Sequence, residues 1–166
     1  MKKLIYNQND IPRDQLRYGM FSSAFTGCGW IATYNAMELM GFHVEPEKLI
    51  KYFEKQVPVV NGFLGTAFWS PAACFRKWGF PTQVTVKRSE MNELARNADV
   101  CILYYWWRDG VKMGAHFVAL HHEDRGFVGY NTYKNSKGPD YYGDDLEKFL
   151  EKQGYFGVML TAIHKK

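Results

Sequence analysis

One segment constrains the fold more than any other, because residues 29–40 are apolar around most of a helical circumference. A helix of this kind has no polar face to present to water, so it must lie inside a core that surrounds it. Gly41 follows the segment as the usual C-terminal stop, and Thr26 is placed to cap its first turn. We therefore predict a buried helix over residues 29–40.

The rest of the chain is large enough and apolar enough to enclose this helix. It has 166 residues, of which 46% are hydrophobic and 23% are charged, a composition far from that of disordered chains. A chain of this length has no room for a second core joined by a linker. We predict one domain spanning residues 1–166.

Neither a membrane span nor a signal peptide is predicted. The longest nearly apolar run, residues 100–107, is much shorter than the roughly 20 residues that span a bilayer. The basic N-terminus reaches Asn7 and Asp10 before any long apolar stretch, which is not the pattern of a signal peptide. We therefore expect a cytoplasmic protein without membrane insertion.

Charge and cysteine usage argue against two further classes of function. The net charge of +4 comes from scattered Lys and Arg residues, so no basic tract follows nucleic-acid phosphates. Cys28, Cys74 and Cys101 are odd in number, and none has a Cys or His at zinc-site spacing. His121 and His122 are adjacent in a predicted strand, so their rings point to opposite faces. We expect free thiols, no nucleic-acid partner, no metal and no cofactor.

The periodicity changes from helical in the first half of the chain to alternating in the second. Further helices are predicted from Pro46 and over residues 70–79, each with a proline in its first turn. The second half predicts strands over residues 82–86, 100–107, 115–121, 127–133 and 155–163, with helices over residues 89–97 and 144–152. Helices first and antiparallel strands afterwards are typical of an α+β protein. We predict an N-terminal helical half packed on a C-terminal antiparallel sheet.

Cys28 lies between Gly27 and Gly29 at the start of the buried helix. A helix N-terminus offers unpaired N–H groups and the positive end of the helix dipole, and both favour a thiolate. The flanking glycines leave room for a carbonyl carbon to approach the sulfur. The pattern is typical of a cysteine nucleophile, although a small buried turn residue would produce the same local sequence.

His116 interrupts a predicted strand that is otherwise small or apolar. If the following turn is centred near Asp124 and Arg125, cross-strand partners have residue numbers that sum to about 249, and Asn131 lies diagonally opposite His116. The side-chain oxygen of Asn131 would then accept the ring N–H and leave the other nitrogen free to act on a thiol. Taken alone, a histidine here is more often a satisfied core residue, but Cys28 and Asn131 together favour a catalytic role.

These residues resemble a known family. Thr26-Gly27-Cys28-Gly29 before a helix, a Gly-Ala-His-Phe-Val strand and Gly-Tyr-Asn ending the next strand resemble the papain-like cysteine peptidases. The likeness is to the compact branch that includes the bacteriocin leader peptidases, which process double-glycine leaders. It implies that Cys28 is the nucleophile, His116 the general base and acid, and Asn131 the residue that orients the histidine.

The chain departs from papain at several positions. The aromatic residue Trp30 stands two positions after the cysteine, and His116 follows Cys28 by 116 − 28 = 88 residues, whereas papain relatives have about 130 or more. Ser22 occupies the position of papain's glutamine, six residues before the nucleophile. The resemblance makes Gln8 the substitute for the oxyanion hole, with Gln15 as the alternative. Many members of the branch carry Asp where this chain has Asn131.

Three functions remain open from the sequence. The first is a thiol-dependent peptidase or amide hydrolase that acts on a peptide or a small amide through an acyl-thioester. The second is an acyltransferase that uses the same Cys28, His116 and Asn131 site and passes the acyl group to an amine or thiol. The third is a non-catalytic module of the same fold that binds a peptide without cleaving it.

Overall fold

A computed structural model describes residues 4–56, 65–133 and 135–166. The helices within this part of the chain are α1 (Ser23–Thr26), α2 (Cys28–Leu39), α3 (Pro46–Glu54), α4 (Ser70–Lys77), α5 (Arg88–Asn97) and α6 (Leu146–Lys152). The strands are β1 (Arg17–Tyr18), β2 (Phe21–Ser22), β3 (Thr82–Thr85), β4 (Val100–Asp109), β5 (Lys112–Glu123), β6 (Gly126–Tyr130), β7 (Asp140–Gly143) and β8 (Phe156–Ile163). The α+β class predicted from the sequence is confirmed.

The buried helix is confirmed as α2, in which every residue from Gly29 to Glu38 is buried. Its buried polar side chains have hydrogen-bonding partners, as buried polar groups must. The side-chain amide of Asn35 bonds to main-chain atoms of Ile5. The carboxylate of Glu38 lies 2.9 Å from Nδ1 of His43. The buried polar groups of a helix without a solvent-facing side therefore all have partners in these examples.

A six-stranded antiparallel sheet supports α2 and divides the interior into two cores. The strand order is β3-β8-β4-β5-β6-β7. One core contains residues of α2, α3 and α4, and the other contains residues of α5 and α6. Because successive side chains of a strand point to opposite faces, Phe117 and Ala119 of β5 join the first core, and Val118 and Leu120 join the second.

The hairpin register predicted from the sequence is also confirmed. Ala119 pairs with Tyr130 and Leu120 with Gly129, so the residue numbers of each pair sum to 249. The turn between β5 and β6 consists of two residues, as the sequence suggested. However, β6 ends at Tyr130, three residues earlier than predicted, and the strand β7 has no counterpart among the predicted elements.

Residues 4–27 contain a 3-10 turn, a small hairpin and a short helix. Residues Gln8–Asp10 form a 3-10 turn, and β1 and β2 form a small hairpin that leads into α1. Ser22 caps α1 with a side chain that accepts from the N–H of Ala24. The predicted capping role of Thr26 is wrong, because Thr26 is the last residue of α1 and Gly27 precedes α2.

Candidate active site

Cys28 is the first residue of α2, but α2 does not begin from a free chain. Gly27 has helical backbone angles (φ −81°, ψ −1°), and its N–H donates to the carbonyl of Ser23 at 2.9 Å. The carbonyl of Gly27 in turn accepts from the N–H of Ile31 at 3.0 Å. The short helix α1 therefore continues almost directly into α2. Because α1 precedes it, the N-terminus of α2 has fewer unpaired N–H groups near Cys28 than the sequence indicated.

Main-chain N–H groups lie close to the thiol of Cys28. Burial raises the pKa of Cys28 to about 11, and the main-chain N–H groups of Phe117, Gly29 and Cys28 itself oppose that rise. The direction is opposite to the one predicted from the helix start, because the loss of solvent outweighs the nearby donors. Near neutral pH the resting side chain is a thiol.

Cys28 nevertheless differs from the other two cysteines. All three are free thiols, but only Cys28 is partly exposed to solvent. Burial raises the pKa of Cys74 to about 12 and raises the pKa of Cys101 further. Cys28 is therefore the most accessible thiol in the protein and the least shifted in pKa.

The main-chain N–H of Phe117 lies near the thiol in a part of β5 that β6 does not cover. The last residue of β6, Tyr130, pairs with Ala119, so β6 stops before it reaches His116 and Phe117. The helix α2 approaches β5 at this edge, and Phe117 packs in the same core as α2. The early end of β6 thus brings Cys28 beside the residue that follows His116.

The ring of His116 is held through one nitrogen. Its Nε2 lies 2.6 Å from the main-chain oxygen of Asn131. A carbonyl oxygen only accepts hydrogen bonds, so Nε2 carries the proton and Nδ1 of the neutral ring keeps its lone pair. The ring also lies edge-on to Tyr105, with centroids 6.0 Å apart. Burial lowers the pKa of His116, and the hydrogen bond to Asn131 opposes that effect, so the ring is neutral near pH 7.

Asn131 follows β6 directly and has a φ of +62°, in the left-handed region that asparagine tolerates better than most residues. Its side chain points to Gln8 rather than to the imidazole. Oδ1 accepts from the main-chain N–H of Gln8 at 2.8 Å, and Nδ2 donates to Oε1 of Gln8 at 3.2 Å. The contact between Asn131 and His116 thus differs from the predicted one, because this backbone conformation presents the carbonyl to the ring.

Gln8 lies in the 3-10 turn near the N-terminus. Its Nε2 donates to the carbonyl of Ala24 in α1 at 3.0 Å. Gln15, the alternative candidate, lies exposed in the following loop. The structure therefore brings Gln8, Asn131 and His116 together. It also places Cys28 near the N–H of Phe117. Gln15 is exposed and lies outside this hydrogen-bonded group. The chemical role of each residue remains a prediction.

An exposed aromatic surface adjoins Tyr104, which lies near the thiol. Burial, with a contribution from nearby Cys28, raises the pKa of Tyr104, whose ring is 4.8 Å from that of Phe117. Phe68 contacts Tyr104 and Trp69, and both Phe68 and Trp69 are about half exposed. From the sequence, core positions are favoured for Tyr104 and Trp69 over positions that line a cleft, but Trp69 is exposed. The available signal was that Phe68 and Trp69 directly precede a helix start, where side chains often face solvent.

The two adjacent histidines have separate partners. His121 stacks on Tyr130 and lies 2.9 Å from Glu123, and His122 lies edge-on to Phe127. Within residues 4–56, 65–133 and 135–166, no group of three or more His, Cys, Asp or Glu side chains is arranged to hold a metal ion. Over the same residues, no helix combines the length and hydrophobicity needed to cross a bilayer.

Gly27 provides a stability test of the α1–α2 junction. A Cβ at this position would lie 2.4 Å from the carbonyl oxygen of Ser23 and 2.8 Å from Nε1 of Trp30. Both groups are buried, so we expect Gly27→Ala to lower the free energy of unfolding by about 1–3 kcal/mol. Chemical denaturation of the wild type and the variant measures the difference. Gly138→Ala is the matched control, because a Cβ there meets no atom within 4 Å, and equal stability of the two variants would contradict the packing at Gly27.

Comparison with known proteins identifies a similar fold among solved structures but no match by sequence. No protein-family model and no curated protein matches the sequence. Among solved structures, the chain is similar to the peptidase domain of Streptococcus ComA, a bi-functional ABC transporter involved in a quorum sensing pathway, with a TM-score of 0.54 and 13% sequence identity. The match covers 82% of this chain and 91% of that domain. The predicted papain-like α+β fold is therefore confirmed.

Proposed function

We propose that the protein is a thiol-dependent peptidase or amide hydrolase, with Cys28 as the nucleophile and His116 as the general base and acid. The observation that carries the proposal is the meeting of α2 and β5. The N–H of Phe117 lies close enough to the Cys28 thiol to affect its pKa, and Phe117 is the neighbour of a histidine whose Nε2 is already engaged. The free Nδ1 is the nitrogen suited to receive the thiol proton.

The reaction follows from these protonation states. Nδ1 of His116 takes the proton of the Cys28 thiol as the sulfur attacks the carbonyl carbon of the substrate. The main-chain N–H of Cys28 stabilises the oxygen that becomes negative. The imidazolium then gives its proton to the leaving amine, which leaves an acyl-thioester on Cys28. Water activated by the same imidazole hydrolyses the thioester and releases a carboxylic acid.

Two further observations favour a peptide as the substrate. The similar solved structure is a peptidase domain. The surface that adjoins Tyr104 also carries exposed aromatic rings, those of Phe68 and Trp69, and such rings bury apolar side chains of a bound chain. A peptide with apolar residues near the scissile bond fits this surface better than a small polar amide.

The test is to incubate the protein with a library of unstructured peptides in water enriched in oxygen-18. We expect new C-termini that each contain one oxygen-18 atom. Acid-quenched samples should contain an acyl adduct on the proteolytic fragment that includes Cys28. Mass spectrometry measures both.

The same experiment separates the other two functions. Added glycinamide that captures most of the acyl group as an amide identifies an acyltransferase. Peptides that bind without cleavage and without an adduct on Cys28 identify a binding module, and this result would overturn the proposal.

A further inference from the structure

Gln8 and Asn131 form a pair of reciprocal hydrogen bonds, which we call the amide clasp. The clasp consists of the bond from the Gln8 main-chain N–H to Oδ1 of Asn131 at 2.8 Å and the bond from Nδ2 of Asn131 to Oε1 of Gln8 at 3.2 Å. Both polar atoms of the Asn131 side chain are thus bonded to Gln8. The carbonyl of the same Asn131 accepts from Nε2 of His116 at 2.6 Å.

The carbonyl of Asn131 needs support from outside the sheet. Pairing between β5 and β6 ends at Tyr130, and Asn131 turns away from the strand with a positive φ. A residue in this conformation keeps it only when its surroundings determine it. The clasp is the described contact that fixes the Asn131 side chain, and through it the direction of the carbonyl.

The clasp is itself attached to the helix that carries the thiol. The N-terminal arm, residues 4–10, is bound to α2 by Asn35, whose Oδ1 accepts from the N–H of Ile5 at 2.9 Å and whose Nδ2 donates to the carbonyl of Ile5 at 2.8 Å. Gln8 adds a bond from Nε2 to the carbonyl of Ala24 in α1. The arm therefore connects α1 and α2 to the end of β6.

We infer that Gln8 is a positioning residue, which acts through Asn131 to fix the tautomer and direction of the His116 ring. The inference rests on the proposed function for its catalytic consequence, and it replaces the oxyanion role that the sequence predicted for Gln8. The contacts favour the new role, because Oε1 bonds to Asn131 and Nε2 to Ala24. Gln8 controls the imidazole without touching it.

The first measurement is the tautomer of His116, observed by nitrogen-15 NMR above the pKa of the ring. In the wild type we expect one protonated nitrogen, Nε2, and one unprotonated nitrogen, Nδ1. Asn131→Gly removes both bonds of the clasp, so both resonances should move toward an average of the two tautomers. Gln8→Ala keeps the main-chain bond and removes the side-chain bond, so it should move them part of the way. Asn131→Gly is chosen because glycine tolerates the positive φ and keeps the carbonyl. Gln15→Ala is the matched control and should leave the spectrum and the activity unchanged.

The second measurement separates positioning from oxyanion stabilisation. We expect Gln8→Ala to lower kcat about tenfold with little change in KM, and the double variant with Asn131→Gly to be no worse than the poorer single variant. Gln8→Glu keeps an oxygen that accepts from Asn131 but loses the donor to the carbonyl of Ala24, so it should restore the wild-type tautomer and recover part of the lost kcat. An oxyanion donor predicts the reverse, because a carboxylate cannot donate and repels the developing charge.

These measurements distinguish failure of the inference about Gln8 from failure of the proposed function. Tautomer averaging in Gln8→Ala supports the inference even if no peptide is cleaved by any variant, in which case only the proposed function is lost. An unchanged His116 spectrum in both Gln8→Ala and Asn131→Gly overturns the inference, whatever the activity. A Gln8→Glu variant that has the wild-type tautomer and is nevertheless less active than Gln8→Ala would also overturn it and restore the oxyanion role.

Discussion

Replacement of Cys28 by alanine is expected to lower kcat/KM for peptide cleavage by about 10⁴-fold or more, because the acyl-thioester route disappears with the sulfur. The change removes one small atom from a half-buried position, so the fold should survive. Initial rates on the peptide found in the oxygen-18 experiment measure the loss. The adduct on the Cys28 fragment should vanish with the activity.

Cys74→Ala is the matched control for this variant. Cys74 is a buried thiol in α4, and its removal should cost roughly 1 kcal/mol of stability while cleavage continues. The two substitutions change the same atoms in different places. Full activity in Cys28→Ala would remove the nucleophile from the proposal, and equal losses in both variants would indicate a general packing effect.

Replacement of His116 by alanine is expected to lower kcat/KM at pH 7 by about 10²–10⁴-fold, the usual contribution of a general base. The base matters here because burial raises the pKa of Cys28 to about 11, so only about one thiol in 10⁴ is ionised at pH 7. The deficit of His116→Ala should shrink as the pH rises, because hydroxide then forms the thiolate without help. Rates measured across the alkaline range show the convergence.

On the acid side, the activity of the wild type should be limited by protonation of His116. Burial disfavours the imidazolium and lowers the pKa of His116, so the base stays neutral to lower pH than a free histidine. Activity should therefore fall only as the pH drops through a value below about 6.5. His164→Ala, at a partly exposed position beyond β8, is the control. An acid limb above 6.5, or a deficit of His116→Ala that stays constant with pH, contradicts general-base catalysis by a neutral His116.

Local patterns in the sequence are sufficient to predict most elements and the hairpin register. A two-residue turn fixes which residues face each other, so the sum of 249 is enough to predict that Asn131 lies near His116. The apolar circumference of residues 29–40 likewise predicts the burial of α2. Each of these features depends on residues close together in the chain.

The details of the candidate site depend on residues that are distant in sequence. The bonds between Asn131 and Gln8 span 123 positions, and no spacing rule predicts that the carbonyl rather than the side chain of Asn131 meets the imidazole. The pKa of Cys28 was predicted in the wrong direction because the helix start is visible in the sequence, whereas the burial of the sulfur against β5 is not. Desolvation is a property of the assembled site.

The strand order has a consequence for the synthesis of the protein. β3 joins the sheet through β8, which follows every other strand in the sequence and lies between β3 and β4. While the ribosome is still making residues 156–163, the β3 segment has no neighbour to pair with, and the core that surrounds α2 lacks Ile163. The nascent chain therefore exposes apolar surface until residues 156–163 have left the ribosome, and during that time the surface is open to misassociation and to chaperones.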